Sequence, residues 1–207
     1  MGSMTFAELL AMPGVTEESE LRSSFGFMAY HGGALEEMTD VIAKRAAEQS
    51  GASYYGVSQP ASLLIHLPSI TVTPDQSPML ATFLDHVEVV VTVHGFGRRP
   101  MMTSILLGGR NRHLAAHLAR HLRLALPVYE VVDELQRIPT ELQGVHDRNP
   151  VNVPRFGGVQ LELPPRVRGS SAIWWDWEAD LTPHTIALID ALAQAASTWS
   201  NNRSNGT

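Results

Sequence analysis

VEVVVTVHG, residues 87–95, is a nearly unbroken β-branched run that ends on a histidine and a glycine. A strand apolar on both faces belongs at the centre of a sheet covered by helices on either side. Outward from it, FGFMAY (25–30), ASYYGVS (52–58), SITVT (69–73), SILLGG (104–109), PVYEVV (127–132) and GVQLEL (158–163) read as further strands. Between them, apolar residues recur at helical spacing at Leu35, Met38, Val41, Ile42 and Ala46, and again at Leu114, Leu118 and Leu122. Thr182 and Pro183 supply the N-cap and first turn of a last helix running to Trp199. Strands alternating with helices predict a single-domain α/β fold, its mixed and mostly parallel sheet flanked by helices. Residues 133–157, rich in Pro, Asn, Asp, Arg and Gly, read as a long loop with one short helical turn, the kind of loop that carries function.

The 207 residues suffice for one domain with a substantial core, and 44% hydrophobic against 17% charged residues excludes intrinsic disorder. A formal charge of −6 argues against nucleic acid as a partner. No segment reads as a secretory signal or a membrane span, so a soluble, cytoplasmic protein without a membrane partner is expected. With no cysteine, any metal must be held by histidine, carboxylate or water. Met1–Ser3, ahead of a second methionine, read as a cloning remnant, 4–23 as an N-terminal extension, 24–199 as the catalytic domain and 200–207 as a disordered tail.

Ligands of open α/β sheets bind outside the carboxyl ends of the strands. His31 directly follows FGFMAY and His94 directly follows VVVTV, so parallel strands would deliver both imidazoles to that edge. Two histidines and one carboxylate form the ligand set of a catalytic zinc that keeps a position open for water. Glu36, just past the turn formed by Gly32 and Gly33, can swing back as that carboxylate. Glu162, inside GVQLEL and alternating with Gln160, is the other carboxylate in reach of such a site.

HGGALE (31–36), VVVTVHGFG (89–97), SILLGGRN (104–111) and NPVNVPRFGGVQLELPP (149–165), in this order and spacing, resemble the bacterial and phage poly-γ-glutamate hydrolase family. That family groups with the zinc carboxypeptidase-like amidohydrolases, and the resemblance runs from about residue 24 to 168. It implies one zinc per chain held by His31, Glu36 and His94, Glu162 as general acid/base, and an acidic γ-glutamyl peptide or polymer as substrate. Arg98 and Arg99, just past the second histidine, are the first candidates to grip substrate carboxylates, and Asn152 with Arg155 the next, because the guanidinium fork binds both carboxylate oxygens. One departure stands out: family members carry an Asn-Arg pair before the GGVQLE strand, whereas here Asn152 is followed by Val153 and Pro154, displacing Arg155.

Three other signals compete. GFGRRP (95–100) has two glycines of a dinucleotide fingerprint, but Pro100 stands where the third belongs. His113, His117 and His121 recur along one helix face and read as a solvated row. Trp174, Trp175 and Trp177 read as an aromatic anchor for the last helix. Two rival functions fit the same residues: a non-catalytic protein holding an anionic peptide or polymer, and an amidohydrolase of small N-acyl amino acids.

Overall fold

The structure, a computed structural model, describes residues 4–174 and 180–200. The strands are β1 (Thr16–Glu20), β2 (Phe25–Gly33), β3 (Ser53–Gln59), β4 (Val89–Gly95), β5 (Ser104–Leu107), β6 (Glu130–Val132) and β7 (Gly158–Leu163). They form one sheet in the order β1-β3-β2-β4-β7-β5-β6. Strands β3, β2, β4 and β7 run parallel to one another, while β1 and the β5–β6 pair run against them. VVVTVHG is therefore a central strand, as its composition demands: Val90, Val91 and Val93 have no solvent exposure.

Helices α2 (Thr39–Ser50), α4 (Arg112–Ala125), the short α5 (Pro165–Arg168) and α6 (Pro183–Thr198) cover one face. They pack on Phe25, Phe27, Val91, Val93, Val159 and Leu161, all buried. Helices α1 (Phe6–Leu10) and α3 (Pro78–His86) cover the other face against Met28, Tyr30, Tyr55 and Val90. Alternation along β4 and β7 sends Thr92, His94, Gln160 and Glu162 to that second face, where the sheet's carboxyl edge is polar instead of apolar.

Several expectations change. Residues 4–23 supply α1, with Phe6 and Leu9 buried, and the edge strand β1, so they are part of the domain. SITVT is a short helical turn at Ser69–Thr71, set between Pro68 and Pro74, and pairs with no strand among the described residues. PVYEVV pairs only over Glu130–Val132. The 133–157 loop holds three helical turns, at Leu135–Arg137, Thr140–Leu142 and Pro150–Asn152. His117 and His121 are not simply solvated: His117 Nε2 lies 2.9 Å from the carbonyl of Ala195 and both rings border α6. Trp175 and Trp177 lie outside the described residues, as do Met1–Ser3 and 201–207. Thr182 caps α6 as expected, accepting from the amide of Thr185.

Candidate active site

Strand β2 carries an extra residue relative to β3: Ala29 pairs with Gly56 but Gly32 pairs with Ser58. Such a bulge re-aims one side chain. Strict alternation would put Tyr30 and His31 on opposite faces; instead the two rings lie edge to face, 4.8 Å apart, at the same edge. His94 leaves β4 beside them, 4.9 Å from Tyr30 and 5.0 Å from His31 between ring centres. Gly33, at φ +68°, then reverses the chain where a Cβ would stand 2.4 Å from the carbonyl oxygen of Gln59, so only glycine fits. The turn closes with the Glu36 amide donating to the carbonyl of His31 at 2.9 Å.

Glu36 thereby enters between the histidines. Its Oε1 lies 3.1 Å from His31 Nδ1 and its Oε2 3.3 Å from His94 Nδ1, while the Gly95 amide donates to Oε2 at 2.8 Å. Burial alone would raise the Glu36 carboxyl, but His94 and His31 override it and hold it well below the usual carboxylate range. Burial also works against the charged form of His94, and Glu36 overrides it, raising that imidazole. At His31 burial wins and lowers it, with Glu36 opposing.

The far side of each ring decides what lies between them. His31 Nε2 faces the carbonyl oxygen of Leu67 at 2.9 Å, which can only accept, so this nitrogen carries its proton. In a neutral ring Nδ1 then directs a lone pair at an anionic oxygen. Burial disfavours an imidazolium at His31, and a metal cation held between the two groups would resolve the contact. Tetrahedral bonds of about 2.0–2.1 Å to nitrogen and oxygen set donors roughly 3.3 Å apart, the spacing found here. His94 Nε2 is oriented in turn by the hydroxyl of Tyr30 at 3.0 Å, a phenol that burial keeps neutral. The donors are nitrogen and oxygen only, which suits zinc in a cysteine-free chain.

Glu162 pairs with His94 in register on the neighbouring strand and is 4% exposed. Burial pushes its carboxyl up to about 7, with nearby Glu36 reinforcing and His94, Gln160 and Arg168 opposing. Gln160 Nε2 donates to Glu162 Oε1 at 2.8 Å, and Asn149 Nδ2 donates to Gln160 Oε1 at 2.8 Å. That relay fixes the carboxylate's orientation.

A family model described as Poly-gamma-glutamate hydrolase matches residues 5–172. The chain belongs to the poly-γ-glutamate hydrolase family. The match reaches further than the motifs at 24–168 and takes in α1 and β1. Among solved structures, the chain resembles a bacteriophage poly-gamma-glutamate hydrolase at TM-score 0.72 and 21% identity, over 91% of each chain. It resembles the zinc-free apo form of YNDL at TM-score 0.77 and 19% identity, over 94% of this chain and 96% of that one. At these identities the likeness establishes the fold. No curated protein matches the chain in sequence.

In this hydrolase-family chain the residues expected at the site divide by sheet edge. His31, Glu36, His94 and Glu162 meet at the carboxyl ends of the parallel strands. Arg98 and Arg99 follow Gly95 at that same edge, and Arg98 donates to Glu141 at 2.5 Å. Arg155 is not brought there. Arg155 lies beside Glu88, at 3.8 Å, before β4 begins; at about 3.3 Å per residue the edge bearing His94 is roughly 20 Å away. Asn152 spends its amide on the backbone of Arg110, Gly144 and His146, at 3.1, 2.8 and 3.0 Å.

Four residues the sequence did not single out border the site: Tyr30, His66, Gln160 and Arg168. Arg168 is buried against Gly95, donates to the carbonyls of Glu37 and Leu163, and lies within electrostatic reach of Glu36 and Glu162. Its guanidinium ties the Glu36 turn to the end of β7. Only Gln160 had a legible signal, its alternation with Glu162.

Proposed function

We propose that this family member is a zinc-dependent amidohydrolase that cleaves γ-glutamyl or related acidic amide bonds, with His31, Glu36 and His94 as the metal ligands and Glu162 as the proton shuttle. The observation that carries the reading is the facing of two buried imidazole Nδ1 atoms onto the two oxygens of one largely buried carboxylate, at 3.1 and 3.3 Å, an arrangement suited to a cation. When bound, zinc polarises the scissile carbonyl and lowers the pKa of water towards about 7. Glu162 takes the proton of the attacking water and returns it to the leaving amine, a role suited to a carboxyl poised near 7. Gln160 keeps one oxygen of Glu162 occupied, leaving the other for the proton. Arg98 and Arg99 hold substrate carboxylates beyond the second histidine, which favours an acidic substrate over a neutral one.

The test is metal content and turnover measured together. Wild type purified without added metal should carry about one zinc per chain and hydrolyse poly-γ-glutamate or a γ-glutamyl dipeptide, and His94→Ala should lose both. Zinc retained by His94→Ala at wild-type affinity sinks the ligand set. Zinc bound with no hydrolysis of any acidic or N-acyl amide supports a binding protein instead.

A further inference from the structure

A third imidazole reaches the same carboxylate. His66 lies on the loop between Pro60 and Pro68, its side chain 61% exposed, with Nε2 3.9 Å from Glu36 Oε1. Its ring is 4.6 Å from that of His31. His31, Glu36 and His66 each present a donor atom, all within 4.8 Å of one another. That grouping contains His66 in place of His94, but the buried His94 faces the second oxygen of Glu36 more closely, at 3.3 Å. The fixed set is therefore His31, Glu36 and His94, and His66 adds to it.

The loop holds His66 in place from both sides. Gln59 clamps the residue before it, accepting from the amide of Ile65 and donating to its carbonyl, both at 2.9 Å. The residue after it, Leu67, accepts from His31 itself. Leu64 takes a left-handed φ of +48°, one of two non-glycine residues to do so among those described. Such a conformation costs about 1 kcal/mol or more and persists only where its surroundings hold it. Two buried imidazoles and the largely buried Glu36 occupy the protein side of the centre; the exposed His66 stands on the side open to solvent, where a catalytic metal keeps its exchangeable position.

We propose that His66 is a displaceable fourth ligand of the metal centre, which it closes in the absence of substrate and yields when the substrate's amide enters. This rests on the metal centre proposed above. Displacement is a ligand exchange: one metal–nitrogen bond breaks, one metal–oxygen bond forms, and no oxidation or group transfer occurs. Being mostly exposed, the freed imidazole exchanges the metal for water at little cost.

The experiment compares wild type, His66→Ala, His66→Gln and His94→Ala by zinc competition against a chromophoric chelator, and by the visible spectrum after cobalt(II) substitution. Both His66 variants should keep one metal per chain with a dissociation constant raised about tenfold or more, and their cobalt spectra should weaken as water replaces imidazole. A phosphinate analogue of a γ-glutamyl dipeptide should bring the wild-type and His66→Ala spectra together. Affinity and spectra identical to wild type in both variants overturn the proposal. A spectral difference that persists with the phosphinate, or loss of the metal as complete as in His94→Ala, overturns displaceability. Wild type that takes up no metal defeats the underlying metal-centre reading, an outcome distinct from the others.

Discussion

Replacing Glu162 by glutamine keeps the shape of the side chain and removes its charge, which isolates what that buried carboxylate does to stability. Below pH 4.5 the group is protonated in folded and unfolded chains alike. Between 4.5 and about 7 the unfolded chain releases the proton and the folded one keeps it, so stability falls as pH rises. Above about 7 both forms are ionised and the loss is complete. A rise from 4.5 to about 7, at about 1.36 kcal/mol per unit, amounts to a loss on the order of 3 kcal/mol. The assay is urea unfolding of chelator-treated wild type and Glu162→Gln at pH 5 and pH 8. Because pH 5 already lies above 4.5, the variant should gain on the wild type by about 2 to 3 kcal/mol between those two conditions, whatever the offset at pH 5. Glu36 and His94 are coupled to Glu162, so the difference reads the charge of Glu162 together with its effect on these two neighbours. A wild-type-to-variant difference that stays constant with pH refutes the argument that burial holds this carboxyl up. Added zinc should shrink the effect, because a cation beside Glu162 favours its ionised form.

In the metal-loaded protein kcat/KM should rise about tenfold per pH unit below a pKa no higher than about 7 and then level, because the base acts deprotonated; Glu162→Gln should lose that limb with on the order of 100-fold to 10,000-fold of the rate. Arg99→Ala should raise KM for an acidic substrate more than for a neutral amide analogue, while Arg155→Ala, at the opposite sheet edge, should leave both unchanged; steady-state kinetics on the two substrates checks this, and equal effects from Arg99 count against carboxylate recognition there. Gly33→Ala should destabilise the protein by more than about 1 kcal/mol, since it combines φ +68° with a Cβ 2.4 Å from the Gln59 carbonyl; denaturant midpoints read it, and a neutral change would mean the turn is looser than it looks.

The sequence by itself determined the central strands and the sheet edge at which two of them end in histidine. VVVTVHG needs cover on both faces, so its place in the middle of a parallel block follows from burial alone. His31 and His94 end two such strands, and parallel strands deliver their ends to one edge. Thr182 and Pro183 fixed where α6 starts, because a helix terminus is satisfied locally. Only the tertiary structure decided what depends on partners far along the chain. TEESE joins the sheet as β1 through backbone bonds to β3 that no hydrophobic pattern advertises. SITVT has strand propensity, yet prolines on either side leave it a helical turn. The bulge that turns His31 onto the face of Tyr30 is a pairing event between β2 and β3, invisible to alternation read on one strand. Arg155 lies beside Glu88 at the amino end of β4, a strand length from His94, and Asn152 is spent on backbone groups of the neighbouring loops. His66 and Arg168 reach Glu36 from elements remote in sequence, and only folding sets such distances.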